Sequence, residues 1–168
     1  SAMTVFAETR RALRHARLLL IRGRAYRAAG DPVRAERDWS DGVTAFEDQR
    51  PEIRDAQQRI DHFDQLWDLF RELMVVRSSD PLRSLEVAER FRARSLLDAL
   101  STNRELQPLA GDALYRWMPE GAMAVAYAVL PDRLFRWTIT RAGVTLDETA
   151  VTAATLTSMV DRFRSSLG

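Results

Sequence analysis

The chain has no cysteine, and this absence excludes several kinds of chemistry. Without a thiol the chain forms no disulfide, holds no thiolate-bound metal and offers no cysteine nucleophile. A reducing compartment suits such a composition, so we expect a cytoplasmic protein. No apolar run approaches the roughly 18 residues that a membrane-spanning helix needs, and no signal peptide is visible. The sequence therefore predicts no membrane association.

Lysine is also missing, so all 25 basic residues are arginine. The 24 acidic residues nearly balance them, and a formal charge of +1 gives no reason to expect nucleic-acid binding. The bias fits a GC-rich genome, but guanidinium groups also bind carboxylates in a bidentate geometry better than lysine does. With 46% apolar residues among 168, the chain can bury the core of one domain or of two small ones.

The first two thirds of the chain predict helices. Gly30 permits the left-handed stop of one helix, Asp31 caps the next, and Pro32 presets its first turn. Pro51 is expected to open a long third helix. The tripeptide Ser79-Asp80-Pro81 repeats the cap before a fourth helix.

After residue 100 the pattern changes to that of strands. The apolar run 122–130 predicts a strand buried on both faces, and 134–140 alternates apolar and polar residues as a second strand would. A turn at Ala142-Gly143 leads to a third strand, and a final helix is expected from about Thr152. The predicted fold is mainly α with a small β part (α+β): antiparallel helix hairpins, a three-stranded antiparallel meander and one helix.

One stretch of the helical part resembles a tetratricopeptide repeat, a helix hairpin of about 34 residues. The repeat has a large, a small, an aromatic, a turn, a small and an aromatic residue at fixed positions. In this chain those positions hold, in the same order, Leu19, Gly23, Tyr26, Gly30, Ala35 and Trp39. Two residues depart from the pattern: Arg22 stands where a leucine is usual, and Gly42 where alanine is preferred.

A second stretch resembles the entry into a CHAT domain, a caspase-like family of the same broad class as separase that commonly follows tetratricopeptide repeats. The helix AERFRARSLLDAL and the later segment MPEGAMAVAYAVLPDRLFRWTITRAGVTL carry this resemblance. The domain organisation that it implies is a cloning scar at 1–3, a tetratricopeptide-like helical arm at 4–101, a linker at 102–118 and an N-terminal fragment of a CHAT-type domain at 119–168.

The resemblance also implies which chemistry this chain lacks. CHAT proteases use a Cys–His dyad that lies well beyond the opening strands. His15 and His62 fall in the helical part, do not match the family's catalytic position, and have no second ligand three or four residues away. We therefore predict no catalytic residue, no metal and no cofactor. The expected function is a non-catalytic protein-interaction scaffold; the alternative is a substrate-presenting regulatory arm of a caspase-like cysteine protease.

The first helix contains the candidate binding residues. The peptide-contacting positions of tetratricopeptide arrays correspond here to Arg17, Leu20, Arg24 and Arg27. A concave row of arginines would suit an acidic peptide or a C-terminal carboxylate. The alternative interpretation is a solvated helix face in a protein that uses arginine throughout.

Two charges lie within the apolar stripe of the fourth predicted helix. Glu89 and Arg92 are three residues apart and can pair, and Arg94 follows them. These three residues are candidates for docking the helical arm on the following domain; alternatively, they lie at the margin of the stripe with their charged groups in water. We also expect a homodimer, or exchange of a strand or helix, through an exposed sheet edge or the last helix.

Overall fold

The computed structural model describes residues 2–49, 67–99 and 111–166. The helices are α1 (Ala2–Ala28), α2 (Pro32–Gln49), α3 (67–76), α4 (Pro81–Ala99) and α5 (Ala153–Ser166), with a 3-10 turn at Gly111–Leu114. The strands are β1 (Met123–Val129), β2 (Arg133–Thr140) and β3 (Gly143–Ala150). The predicted start of the third helix at Pro51, the residue His62 and part of the predicted linker lie outside the described residues. Helices followed by a three-stranded antiparallel sheet and a last helix confirm the predicted mainly α fold with a small β part.

Short polar side chains set the starts of two helices, as the sequence predicts. Gly30 has a φ of +79° and separates α1 from α2. The Asp31 carboxylate then accepts a 3.0 Å hydrogen bond from the Arg34 backbone N–H. Asp80 does the same for α4, accepting a 3.2 Å bond from the Arg83 N–H. Each carboxylate satisfies a backbone donor that has no partner within its helix.

α1 and α2 form an antiparallel hairpin that closes tightly around one tryptophan. The Trp39 side chain is completely buried, and its indole N–H donates a 3.2 Å hydrogen bond to the Leu20 carbonyl. A Cβ atom at Gly23 would lie 2.3 Å from the Trp39 Nε1. Only glycine therefore fits at position 23 with the indole in this place.

The sheet is a meander in the order β1–β2–β3. Its inner face pairs Ala126 with Trp137 and Trp137 with Leu146, and both Phe135 and Trp137 are completely buried. Small alanines on β1 leave room for these two aromatic rings, whose centroids are 5.7 Å apart in an edge-to-face arrangement.

The expectation that β1 is buried on both faces is wrong. Its outward residues are the larger ones, and they are exposed to solvent: Met123, Val125, Tyr127 and Val129. A continuous apolar run fits a strand with two covered faces, but none of the described elements covers the outer face of this strand.

One hydrophobic core joins the helices to the sheet. The same cluster of buried side chains contains Trp39 from α2, Leu69 from α3, Leu85 from α4, and Phe135 and Trp137 from β2. Buried residues of α1–α4 and of the inner face of the sheet therefore belong to one core, which contains no residue of α5. Among the described residues, no helix is both long enough and apolar enough to cross a membrane.

Candidate functional site

The predicted binding residues of α1 do not share one environment. Arg17 is exposed and has no ion-pair partner among the described residues. Leu20 is 7% exposed and belongs to the hydrophobic core, so it offers little surface to a ligand. Arg24 and Arg27 are neither buried like Leu20 nor, among the described residues, unpaired like Arg17. Both form ion pairs with carboxylates on α3.

The contacts between α1 and α3 form a network of ion pairs. Arg24 donates hydrogen bonds to Glu72 at 2.8 Å and to Asp68 at 2.9 Å. Arg27 donates to Glu72 at 3.2 Å, and Arg71 lies 3.0 Å from Asp68. We call this surface the arginine face, defined by Arg17, Arg24, Arg27, Arg71, Asp68 and Glu72.

The arginine face carries more positive than negative charge. Its four guanidinium groups exceed its two carboxylates by two charges. Burial disfavours the charged form of Arg24, but hydrogen bonds to Glu72 and Asp68 outweigh this and hold the Arg24 pKa above its usual value. The side chains of Arg24 and Arg27 are 41% and 45% exposed, so water and ligands can reach them.

A second ion pair explains the unusual Arg22. Its guanidinium donates two hydrogen bonds to the Asp38 carboxylate, at 2.7 and 2.8 Å. The Asp38 side chain is only 6% exposed, whereas that of Arg22 is 60% exposed. The hydrogen bond from Arg22 holds the pKa of Asp38 below its ordinary value despite the opposing effect of burial. Arg22 was recognisable as a departure from the repeat, but Asp38 was not recognisable as its partner, because fifteen residues separate the two in sequence.

The candidate docking residues lie where α4 meets the sheet. Arg92 pairs with Glu89 and also donates a hydrogen bond to the backbone carbonyl of Tyr127 in β1. This is a contact of the kind that the docking hypothesis requires. The side chain of Arg94 lies outside the described residues.

The carbonyl that Arg92 binds belongs to the free edge of β1. The Leu130 N–H donates a 2.8 Å hydrogen bond to the Arg133 carbonyl, so these two residues form a hydrogen-bonded pair. From there along the antiparallel hairpin, non-hydrogen-bonded and hydrogen-bonded pairs alternate. Tyr127 and its partner Arg136 fall at a non-hydrogen-bonded pair, and the polar backbone groups of Tyr127 point away from β2. A helix side chain thus occupies part of the edge that an additional strand would use.

Two exposed apolar surfaces lie on the second half of the chain. One is the apolar row on the outer face of β1, formed by Met123, Val125, Tyr127 and Val129. The other is the α5 stripe, formed by the exposed Met159, Val160 and Phe163 together with the half-buried Leu156. No residue of α5 is buried. The last helix was predicted as a possible contact surface, whereas the outer face of β1 was not, because its apolar run was assigned to a strand buried on both faces.

The described parts of the chain contain no ligand set of the kind that a metal ion requires. No group of three or more histidine, aspartate and glutamate side chains there could hold a metal ion. His15 is exposed on α1. The described geometry presents partly exposed guanidinium groups on the arginine face and exposed apolar side chains on the two apolar surfaces. No protein-family model, no curated protein and no solved structure matches this chain.

Proposed function

We propose that this chain is a non-catalytic protein-interaction module that binds an acidic peptide or protein segment on its arginine face. In this proposal the helices form a tetratricopeptide-like arm, and the sheet with α5 is the opening part of a CHAT-type domain. The observation that carries the proposal is the surplus of guanidinium groups where α1 and α3 meet. The chain has no cysteine and so supplies no thiol nucleophile of its own.

The packing of the α1–α2 hairpin supports the tetratricopeptide resemblance. That repeat places a small residue on its first helix opposite a large one on its second, so that the two helices can approach closely. Gly23 and Trp39 have this relationship, with no space for a Cβ atom between them. Such hairpins turn the first helices of neighbouring pairs toward each other, as the contacts of α1 with α3 do here.

The arginine face has the donors that a carboxylate ligand needs. Arg17 is unpaired among the described residues, and the planar guanidinium group can hold a carboxylate with two parallel hydrogen bonds. Arg24 and Arg27 already donate to acids of α3, but partly exposed ion pairs are each worth only about 1 kcal/mol or less. A ligand carboxylate can therefore share their remaining N–H groups at little cost.

Binding of labelled peptides tests the proposal directly. An acidic peptide with a free C-terminal carboxylate should raise fluorescence polarisation, and its amidated, glutamine-substituted counterpart should bind at least about tenfold more weakly. Arg17→Glu should abolish most of the binding, because it replaces the unpaired guanidinium with a repelling carboxylate. Since Arg17 makes no ion pair in the described structure, this variant should fold normally.

A matched variant separates local recognition from general charge attraction. Arg37→Glu makes the same charge change at a residue on α2 whose side chain is 83% exposed. It should retain wild-type affinity. Equal weakening by Arg17→Glu and Arg37→Glu, or equal binding of the acidic and neutral peptides, would remove the arginine face as the binding site.

A further inference from the structure

α5 has an apolar stripe of the kind that packs against other elements, yet none of its residues is buried. Leu156, Met159, Val160 and Phe163 follow the spacing i, i+3, i+4, i+7 and so share one side of the helix. Yet Met159, Val160 and Phe163 are each about half exposed or more. Its 14 residues make a helix that is marginal alone in water, since isolated helices shorter than about 12–15 residues gain too little to form. Stable formation of α5 therefore requires a surface to cover its apolar side.

The apolar row of β1 has the dimensions of such a surface. A helix of 14 residues is about 21 Å long. The row runs from Met123 to Val129, and six strand steps cover about 20 Å. Both surfaces are narrow, straight and apolar, and a helix stripe packs against a sheet face by the same burial that forms an ordinary core.

The area of the two surfaces is sufficient for a stable dimer. At roughly 200 Å² for a fully exposed large apolar residue, the exposed fractions of 41–64% leave about 700 Å² per chain. Two chains that cover both surfaces of each other contribute about 1,400 Å², within the roughly 1,200–2,000 Å² of specific interfaces. Reciprocal contact of this kind is what a two-fold symmetric dimer provides.

We propose that the occupant of the apolar row is α5 of a second copy of this chain, and that the exchange is reciprocal. Within one chain the two surfaces do not cover each other, because both are exposed together. The interface uses the face of β1 rather than its edge, where Arg92 already binds the Tyr127 carbonyl. This inference is independent of peptide binding, which involves the arginine face.

Light scattering after size-exclusion chromatography gives the first test. The wild-type chain should be a dimer at high micromolar concentration and dissociate on dilution. Phe163→Asp on α5 and Val125→Asp in the row should each weaken dimerisation by roughly tenfold or more, because each replaces an apolar contact residue with a charge that the contact would bury. The matched controls are Ser158→Asp on the polar side of α5 and Thr145→Asp on the outer face of β3, which should stay dimeric.

Cysteine pairs identify which surfaces meet, since the natural chain has no cysteine to interfere. Val125→Cys and Phe163→Cys chains are prepared separately, mixed and oxidised. The mixture should give a disulfide-linked dimer in higher yield than either variant alone. In the double variant the bond should link two chains, which migrate as a dimer on a non-reducing gel.

Several results would overturn the proposal. A monomer at every concentration, a dimer unaffected by Val125→Asp and Phe163→Asp, or a disulfide formed within one chain of the double variant would each do so. The last result would show that α5 covers its own sheet. Arg17→Glu should leave the dimer intact, so failure of the dimer and failure of peptide binding can be told apart.

Discussion

The helical layer and the sheet differ in how they use large apolar side chains. Among the side chains of α1–α4 that the structure describes, the exposed large apolar residues are Leu18 and Ile21 on α1 and Val33 on α2. Exposed apolar residues in such small numbers are normal on protein surfaces. The sheet and α5 instead expose two continuous rows, although the inner face of the same sheet buries Phe135 and Trp137 completely. Contiguous apolar surface of this kind marks interaction sites.

The two regions also differ in where their charges go. Arginines of the helical layer are tied to acids on neighbouring helices, as Arg22 is to Asp38 and Arg77 is to Glu36. On the outer sheet face the ion pairs join adjacent strands, as Arg136 does with Asp147 at 3.0 Å. The helical layer is thus held together by long-range apolar and polar contacts, whereas the outer face of β1 and the apolar side of α5 are exposed.

The largest expected effect concerns the sheet, whose inner face is buried whereas its outer face on β1 is exposed. Phe135→Ala should lower the free energy of unfolding by about 3–5 kcal/mol, since it opens a cavity in the shared core. Tyr127→Ala on the outer face should change it by less than about 0.5 kcal/mol in the monomer. Urea denaturation followed by circular dichroism measures both. Similar losses for the two variants would contradict the one-sided burial of the sheet.

A smaller effect is expected at the glycines of the helix hairpin. Gly23→Ala should destabilise the chain by roughly 1–3 kcal/mol, because the new Cβ overlaps the Trp39 indole. Gly42→Ala is the matched control. Its Cβ would lie 3.0 Å from a terminal methyl of Leu69, which can move, and alanine favours the helix by about 1 kcal/mol. A Gly23→Ala chain as stable as Gly42→Ala would refute the close approach of α1 and α2.

The Arg22–Asp38 pair in the helical layer predicts that the stability of the chain depends on pH. Because its folded pKa is lowered, Asp38 stabilises the fold above its unfolded pKa of about 3.9 and loses this contribution as the pH falls through the folded value. Asp38→Asn should cost roughly 1–2 kcal/mol at neutral pH, and the difference from wild type should shrink below about pH 4. Asp41→Asn, at an exposed site on the same helix, should cost little at any pH. A difference between wild type and Asp38→Asn that stays constant with pH would contradict the role of this pair.

The smallest expected effect concerns the contact between the two regions. Arg92→Ala should lower stability by about 1 kcal/mol, through loss of the hydrogen bond to the Tyr127 carbonyl and of the pair with Glu89. Arg136→Ala, which removes a pair within the sheet, should cost less. If the Tyr127 contact matters more than the Glu89 pair, Glu89→Ala should also cost less than Arg92→Ala. Equal losses for Arg92→Ala and Glu89→Ala would argue against it.

Helix boundaries and strand order were predictable, because they depend on residues that are close in sequence. Gly30 and Asp31 act on backbone groups within a few residues, and the turn at Ala142-Gly143 joins two strands that pair directly. The degree of burial of β1 was not predictable. A run such as 122–130 has the same apolar composition whether or not another element covers its second face.

In the candidate sites, too, only the features that depend on residues close in sequence were predictable. Spacing along α1 predicts several arginines on one side of the helix, but it could not show that Leu20 turns into the core or that Arg24 meets Asp68 and Glu72. Those acids are more than forty residues away in sequence. Likewise, Glu89 and Arg92 were recognisable as a pair, while the carbonyl of Tyr127 was not recognisable as a partner of Arg92.

The sequence by itself determined the helices, the strands, their order and the absence of thiol chemistry, since local backbone preferences and composition are sufficient for these. Only the tertiary structure decided which arginines are neutralised, which face of β1 meets the core and which side of α5 lacks a partner. The physical reason is that ion pairing and burial depend on distances between segments far apart in the chain, and no local pattern encodes those distances.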